Sequence, residues 1–169
     1  MTTLHATNVY NIETTMNKWF SDQLNAITKP SILTSFTHVF NLPETPIVTP
    51  CFSYAHLPIS TRKLWQGDQT GGLVRGAREA SLLDISCWVS RKVVAWNTQL
   101  MFMRAMVEQT FASERTIQVS DYTTNIASPS VVQYKIDLRS CDSPAVQPDP
   151  NPDIMRSRFL IRYEWTVRS

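Results

Sequence analysis

The sequence predicts an α+β domain: a mostly antiparallel sheet of about four to six strands, two main helices on one of its faces, and a long glycine-rich arm. Three observations predict it. Two stretches carry apolar residues at helical spacing. Several others alternate apolar and polar residues with the period of a half-buried strand. All four glycines, Gly67, Gly71, Gly72 and Gly76, fall within ten residues.

A chain of 169 residues with 43% hydrophobic and 18% charged residues is the size of a single domain, 1–169. The first helix is expected over Asn11–Thr28, where Ile12, Met16, Trp19, Phe20, Leu24 and Ile27 make one apolar stripe. Asn11 is placed to cap its start, and Lys29–Pro30 closes it, because the residue before a proline is pushed out of helical geometry. Ser31–Phe40 reads either as a strand or as a short turn of helix. Pro46–Leu57 reads as a strand near a sheet edge, since proline cannot donate to a central ladder.

The glycines sit among Arg62, Lys63, Arg75 and Arg78, and the expectation over 61–80 is a flexible basic arm or hairpin that orders against a partner. No GxxxxGK[ST] pattern is present, so this is not a phosphate-binding loop. Ser81–Arg91 alternates as a strand. Val94–Ala112 then carries Trp96, Leu100, Met103, Val107 and Phe111 at helical spacing. Met101, Phe102 and Met106 widen that apolar surface, which suits either a core helix with adaptable packing or a helix that also touches a neighbouring subunit.

Thr116–Tyr122 is a short strand, 123–130 a polar turn, and Val131–Arg139 a strand with Val132, Tyr134, Ile136 and Leu138 on one side. Residues 141–155 carry Pro144, Pro148, Pro150 and Pro152 and read as a stiff, polyproline-like surface connector. Arg156–Arg168 closes the sheet. Phe159, Ile161, Tyr163, Trp165 and Val167 form its core face; Arg158, Leu160, Arg162, Glu164, Thr166 and Arg168 form a mainly basic outer face.

Composition and motifs exclude more than they select. The net charge of +2 is too small to imply nucleic-acid binding by itself. No basic segment followed by an apolar run marks a signal peptide, and no apolar run approaches a membrane span. Cys51, Cys87 and Cys141 lack metal-like spacing and read as reduced, partly buried thiols. His5, His38 and His56 are scattered and read as solvated. Cys51 and His56 share a strand with opposite parities, poor geometry for a nucleophile and its base. The expectation is a protein with no catalytic residues, no cofactor and no metal. Two basic regions remain: Arg62, Lys63, Arg75 and Arg78 in the arm, and Arg156, Arg158, Arg162 and Arg168 in the closing strand. They suit solvated arginines as well as contacts to acidic protein patches or DNA phosphates.

The order of elements, LLDISCWVSRK followed by AWNTQLMFMRAMVEQTF, and the closing RFLIRYEW after a PDPNPD run resemble the tail terminator proteins of long-tailed bacteriophages. The resemblance spans roughly Asn11–Arg168 and rests on order and pattern, since that family offers no catalytic or metal motif to match. It implies a non-enzymatic virion protein of the tail or neck, assembled in the host cytoplasm as a homo-oligomer, typically a hexameric ring. The implied partners are the tail tube protein, head–tail connector or neck proteins and, in contractile tails, the sheath, with genomic DNA passing through the lumen unbound and no membrane involved. Under that resemblance Arg62, Lys63, Arg75, Arg78, Met101, Met106, Arg158, Arg162 and Arg168 are the candidate interaction residues. The alternatives from the residues themselves are another head–tail joining protein, a small nucleic-acid-binding domain, or an enzyme with a cysteine nucleophile.

Overall fold

The computed structural model describes residues 5–40, 43, 47–67, 73–112, 115–141, 145–148 and 151–168. It is an α+β fold. Helices α1 (His5–Ala26) and α2 (Trp96–Thr110) lie on one face of a mixed seven-stranded sheet. The strands are β1 (Thr37–Phe40), β2 (Cys51–Gly67), β3 (Leu73–Ser90), β4 (Thr116–Asp121), β5 (Ser130–Cys141), β6 (Ala145–Pro148) and β7 (Ile154–Arg168), in spatial order β1-β2-β3-β7-β5-β4. All neighbours are antiparallel except β1 and β2.

The closing strand is central. One flank of β7 pairs with β3 along its full length, from Ser90↔Ile154 to Gly76↔Arg168. Its other flank is shared end to end by β6, opposite Met155–Arg158, and β5, opposite Ile161–Trp165. Phe159, Ile161, Tyr163 and Trp165 are buried toward the helices, as the alternation predicts. The side chain of Val167 lies outside the described residues.

Helix α1 inserts Ile12, Met16, Phe20 and Leu24, spaced four apart and each fully buried, into that core. Phe20 is the hub, with its ring edge-on to Phe52 and Tyr54 at 6.2 and 5.7 Å and stacked on Phe111 of the segment after α2 at 5.6 Å. Helix α2 contributes Leu100, Met103, Met106 and Val107. A second, smaller cluster of Ile47, Cys51, Trp88 and Ile154 sits at one end of the opposite face.

Several boundaries differ from the sequence expectation, each for a physical reason. Helix α1 starts at His5, so Asn11 is not its cap. Ser31–Phe40 is both of its readings in succession: a 3-10 turn at Ser31–Leu33 after the extended Pro30, then β1. β2 does not stop at Leu57 but continues to Gly67, and β3 begins at Leu73 rather than Ser81, so most of the 61–80 arm is paired strand. Prolines tolerate this because β1 ends at Phe40↔Tyr54, leaving the outer flank of β2 an edge where Pro58 has no ladder bond to make. A register shift between Pro58 and Ser60 leaves Ile59 as an extra residue. The connector over 141–155 contains β6, an edge strand ending in Pro148. β1 and β6 bring the strand count to seven, above the expected four to six.

Phe20→Ala should lower stability by about 3–5 kcal/mol, read as a shifted urea midpoint, because it empties the aromatic hub. Val94→Ala, at a fully exposed position, should stay within about 0.5 kcal/mol.

Candidate interaction surfaces

The sheet face away from the helices carries most of the candidate residues, and it is not a row of free cations. Arg158 donates from Nε and Nη2 to the two oxygens of Asp84 at 2.9 and 2.7 Å, a bidentate bridge across β3 and β7. Arg162 donates to Glu164 Oε1 from Nε and Nη2 at 3.2 and 2.8 Å, two residues along the same strand face. Arg156 donates to the Ser86 hydroxyl at 2.9 Å and lays its guanidinium over Trp88, 4.7 Å from the ring centre. Between these pairs lie Leu57 and Leu82, direct partners across β2 and β3, and Leu160, opposite Asp84.

The remaining basic candidates are brought together by backbone register. Arg62 lies opposite Arg78, Lys63 opposite Ala77, Arg75 opposite Trp65, and Arg168 opposite Gly76. Arg168 therefore belongs with the arm rather than with Arg158 and Arg162. These five occupy the distal part of a β2–β3–β7 ribbon; their side chains lie outside the described residues, as do residues 68–72 at the turn.

The two methionine candidates separate. Met101 is exposed on α2, whereas Met106 is buried in the core and offers no surface. The histidines are not solvated. Both ring nitrogens of His56 are bonded, Nε2 to Asn17 Oδ1 of α1 and Nδ1 to the Tyr163 hydroxyl of β7, each at 2.8 Å. An amide oxygen only accepts, so Nε2 carries the proton and Tyr163 donates to Nδ1. Burial then lowers the His56 pKa to about 4 and raises that of Tyr163. His38 packs against Phe36, Phe52 and Tyr54, and burial lowers its pKa as well.

The cysteines are not poised as nucleophiles. Cys51 and Cys87 are buried free thiols; burial pushes Cys51 up to about 11 and raises Cys87 further. Cys51 lies in the small cluster on the face opposite His56, as the strand parity requires. No group of three or more His, Cys, Asp or Glu residues able to hold a metal occurs among the described residues. No helix there is long and apolar enough to cross a membrane.

A set of contacts that sequence reasoning missed closes one side of the sheet. Asn11 and Thr15, four apart on α1 and both buried, reach the outer strand β4. Thr15 Oγ1 accepts the Ser120 N–H at 3.2 Å, Asn11 Oδ1 accepts the Tyr122 N–H at 2.9 Å, and Asn11 Nδ2 donates to Asp121 at 3.1 Å. The signal was present: two polar residues at helical spacing directly beside Ile12 and Met16, on a stripe too apolar for them to face water.

Compared with known proteins, the chain matches no family model and no curated protein. Among solved structures, a chain from "Virion of native gene transfer agent (GTA) particle" aligns with 90% of this chain and 95% of its own length, at 14% identity and a TM-score of 0.47. Similarity of that degree leaves function to be argued from this chain's own residues.

Two outcomes follow from the bonded pairs. The folded His56 pKa of about 4 lies below the ordinary 6.5, so on acidification the unfolded chain takes up the proton first. The stability that neutral His56 contributes is complete above pH 6.5 and is lost as pH falls toward 4, roughly 3 kcal/mol in all. His56→Gln should flatten this part of the pH–stability curve. A double-mutant cycle should give Arg158–Asp84 a coupling of about 1–2 kcal/mol, and Arg162–Glu164, whose arginine is half exposed, no more than about 0.5 kcal/mol.

Proposed function

We propose that this protein is a structural component of a long-tailed phage virion, and within it the tail terminator: a hexameric ring that caps the tail tube, stops its elongation and presents the surface for neck or head attachment. The observation that carries this reading is the β2–β3 hairpin. Its strands are 17 and 18 residues long, about three times the usual strand, and β7 supports β3 as far as Gly76. Past the row that joins Thr61, Glu79, Trp165 and Ile136, β5 contributes no further pairing to β7, and the hairpin runs on as a narrow ribbon. A rigid body with a long basic ribbon suits a subunit that must engage a neighbour and a tube end at once. The resemblance in element order supports the same reading, as does a polar face built from paired charges rather than from a cleft.

A nucleic-acid-binding module would need free cations on its broad face, and there Asp84 holds Arg158 while Glu164 holds Arg162. A cysteine enzyme would need an accessible thiolate near a base. Another head–tail joining protein would share the ribbon and differ in what it caps.

The test is assembly. Tails made without the protein should show overlong tubes by electron microscopy, and purified protein added during tube growth should restore uniform length. Tubes of normal length without it, and no binding to tube ends, would sink the terminator role.

A further inference from the structure

The exposed apolar side chains are not scattered. Of the eight large ones among the described residues, two lie on β2 near the open edge: Leu57, 39% exposed, and Ile59, 46% exposed at the register shift. Three gather at the opposite corner of the sheet: Tyr10 of α1, 47% exposed, Ile126 of the β4–β5 turn, 75% exposed, and Val131 of β5, 69% exposed. That corner is one unit, because Asn11, beside Tyr10, bonds Tyr122 and Asp121 at the start of the turn, and Val131 is the register partner of Ser120, whose N–H bonds Thr15. Two apolar patches therefore sit at the two ends of the strand order, and the chain covers neither of them itself.

We propose that these patches are the two halves of one heterologous joint, in which the β2 patch of one copy packs against the α1/β4–β5 corner of the next. This rests on the ring reading above and names the surfaces that would close the ring. Unlike patches on opposite ends of one chain meet head to tail, the arrangement that a cyclic assembly repeats. The joint is made by side chains, not by extending the sheet. Pro58 has no N–H to offer a new strand and the register shift beside it twists the edge away, while at the other end α1 already occupies the N–H groups of Ser120 and Tyr122. Both ends are protected against strand addition and still carry exposed apolar groups, which favours a partner that brings apolar side chains. A second copy of this chain brings them at the required end.

The test is directional cross-linking of the full chain. Ile59→Cys and Val131→Cys are made separately in a Cys141→Ser background, where Cys51 and Cys87 are buried and unreactive. They are treated with a short bifunctional maleimide alone and mixed, in solution and on tube ends. The expected result is a linked dimer in the mixture only, and a ladder of multimers from the double variant. Ile59→Asp should convert the oligomer to folded monomer by light scattering, with an unchanged circular dichroism spectrum. Linkage of Ile59→Cys with itself would overturn the joint in favour of a two-fold contact. Absence of linkage in the mixture, in solution and on tube ends, would overturn it whatever other protein captures the patches. If the unlinked protein still caps tubes, the joint alone is wrong; if the ladder forms but tubes stay uncapped, the terminator reading is wrong and the joint stands.

Discussion

The structure depends on β7 having hydrogen-bonded neighbours on both flanks. Its partner on one side is β3, some seventy residues earlier, bridged for example by Arg156 to Ser86 at a separation of 70. On the other side β5 and β6 divide its length between them. A strand so placed has no edge, and each of its backbone donors and acceptors is committed to a distant segment. Everything else is arranged on the two faces that result. The inner face, Phe159 to Trp165, is the floor on which both helices rest, with Tyr163 and Trp165 stacked at 5.6 Å. The outer face carries the arginines whose partners, Asp84 and Ser86, come from the adjacent β3. Pairing over such separations is the kind that folds slowly, because loop closure is paid before contacts reward it.

The second organising contact is polar. Helix α1 uses its apolar stripe to reach the core, and the residues flanking that stripe fasten it at two places. Asn11 and Thr15 cap the β4 edge, and Asn17 reaches His56, which passes the link on to Tyr163 of β7. Hydrophobic packing alone would let a helix slide along its groove; buried hydrogen bonds with fixed geometry set one register. The cost of burying these groups is offset only while every bond is made. The network therefore specifies position more than it adds stability.

Much of the fold was legible in the sequence because its strongest patterns are periodic. The alternation of Phe159–Trp165 and of Leu83–Val89, and the four-residue spacing along both helices, report burial directly. What was illegible followed other rules. Glycine and paired arginines made the distal ribbon read as loop, since pairing with β7, not local propensity, makes it strand. Prolines hid β6, which survives as a short edge. The long-range partners of Asn11, His56 and Arg158, at separations of 111, 107 and 74 residues, have no local signature at all. For the same reason the broad basic face looked like a row of free charges: Asp84 was visible on its strand, but not its position beside Arg158.

That correction alters what the bare sheet face can do. An antiparallel sheet with helices on one side leaves a polar surface on the other, and here its charges are largely satisfied within the molecule. A bidentate bridge half shielded by its neighbours gives up its own hydrogen bonds before it can accept a phosphate, whereas an unpaired arginine gives up only water. Affinity for a polyanion rises with the number of unpaired cations it can neutralise, and with it the sensitivity to salt. A face of internally paired arginines separated by Leu57, Leu82 and Leu160 is therefore weakly retentive toward DNA. In a ring that DNA must traverse, that property is an advantage wherever the face meets the lumen, because each tight phosphate contact would have to be broken again for the next segment to pass.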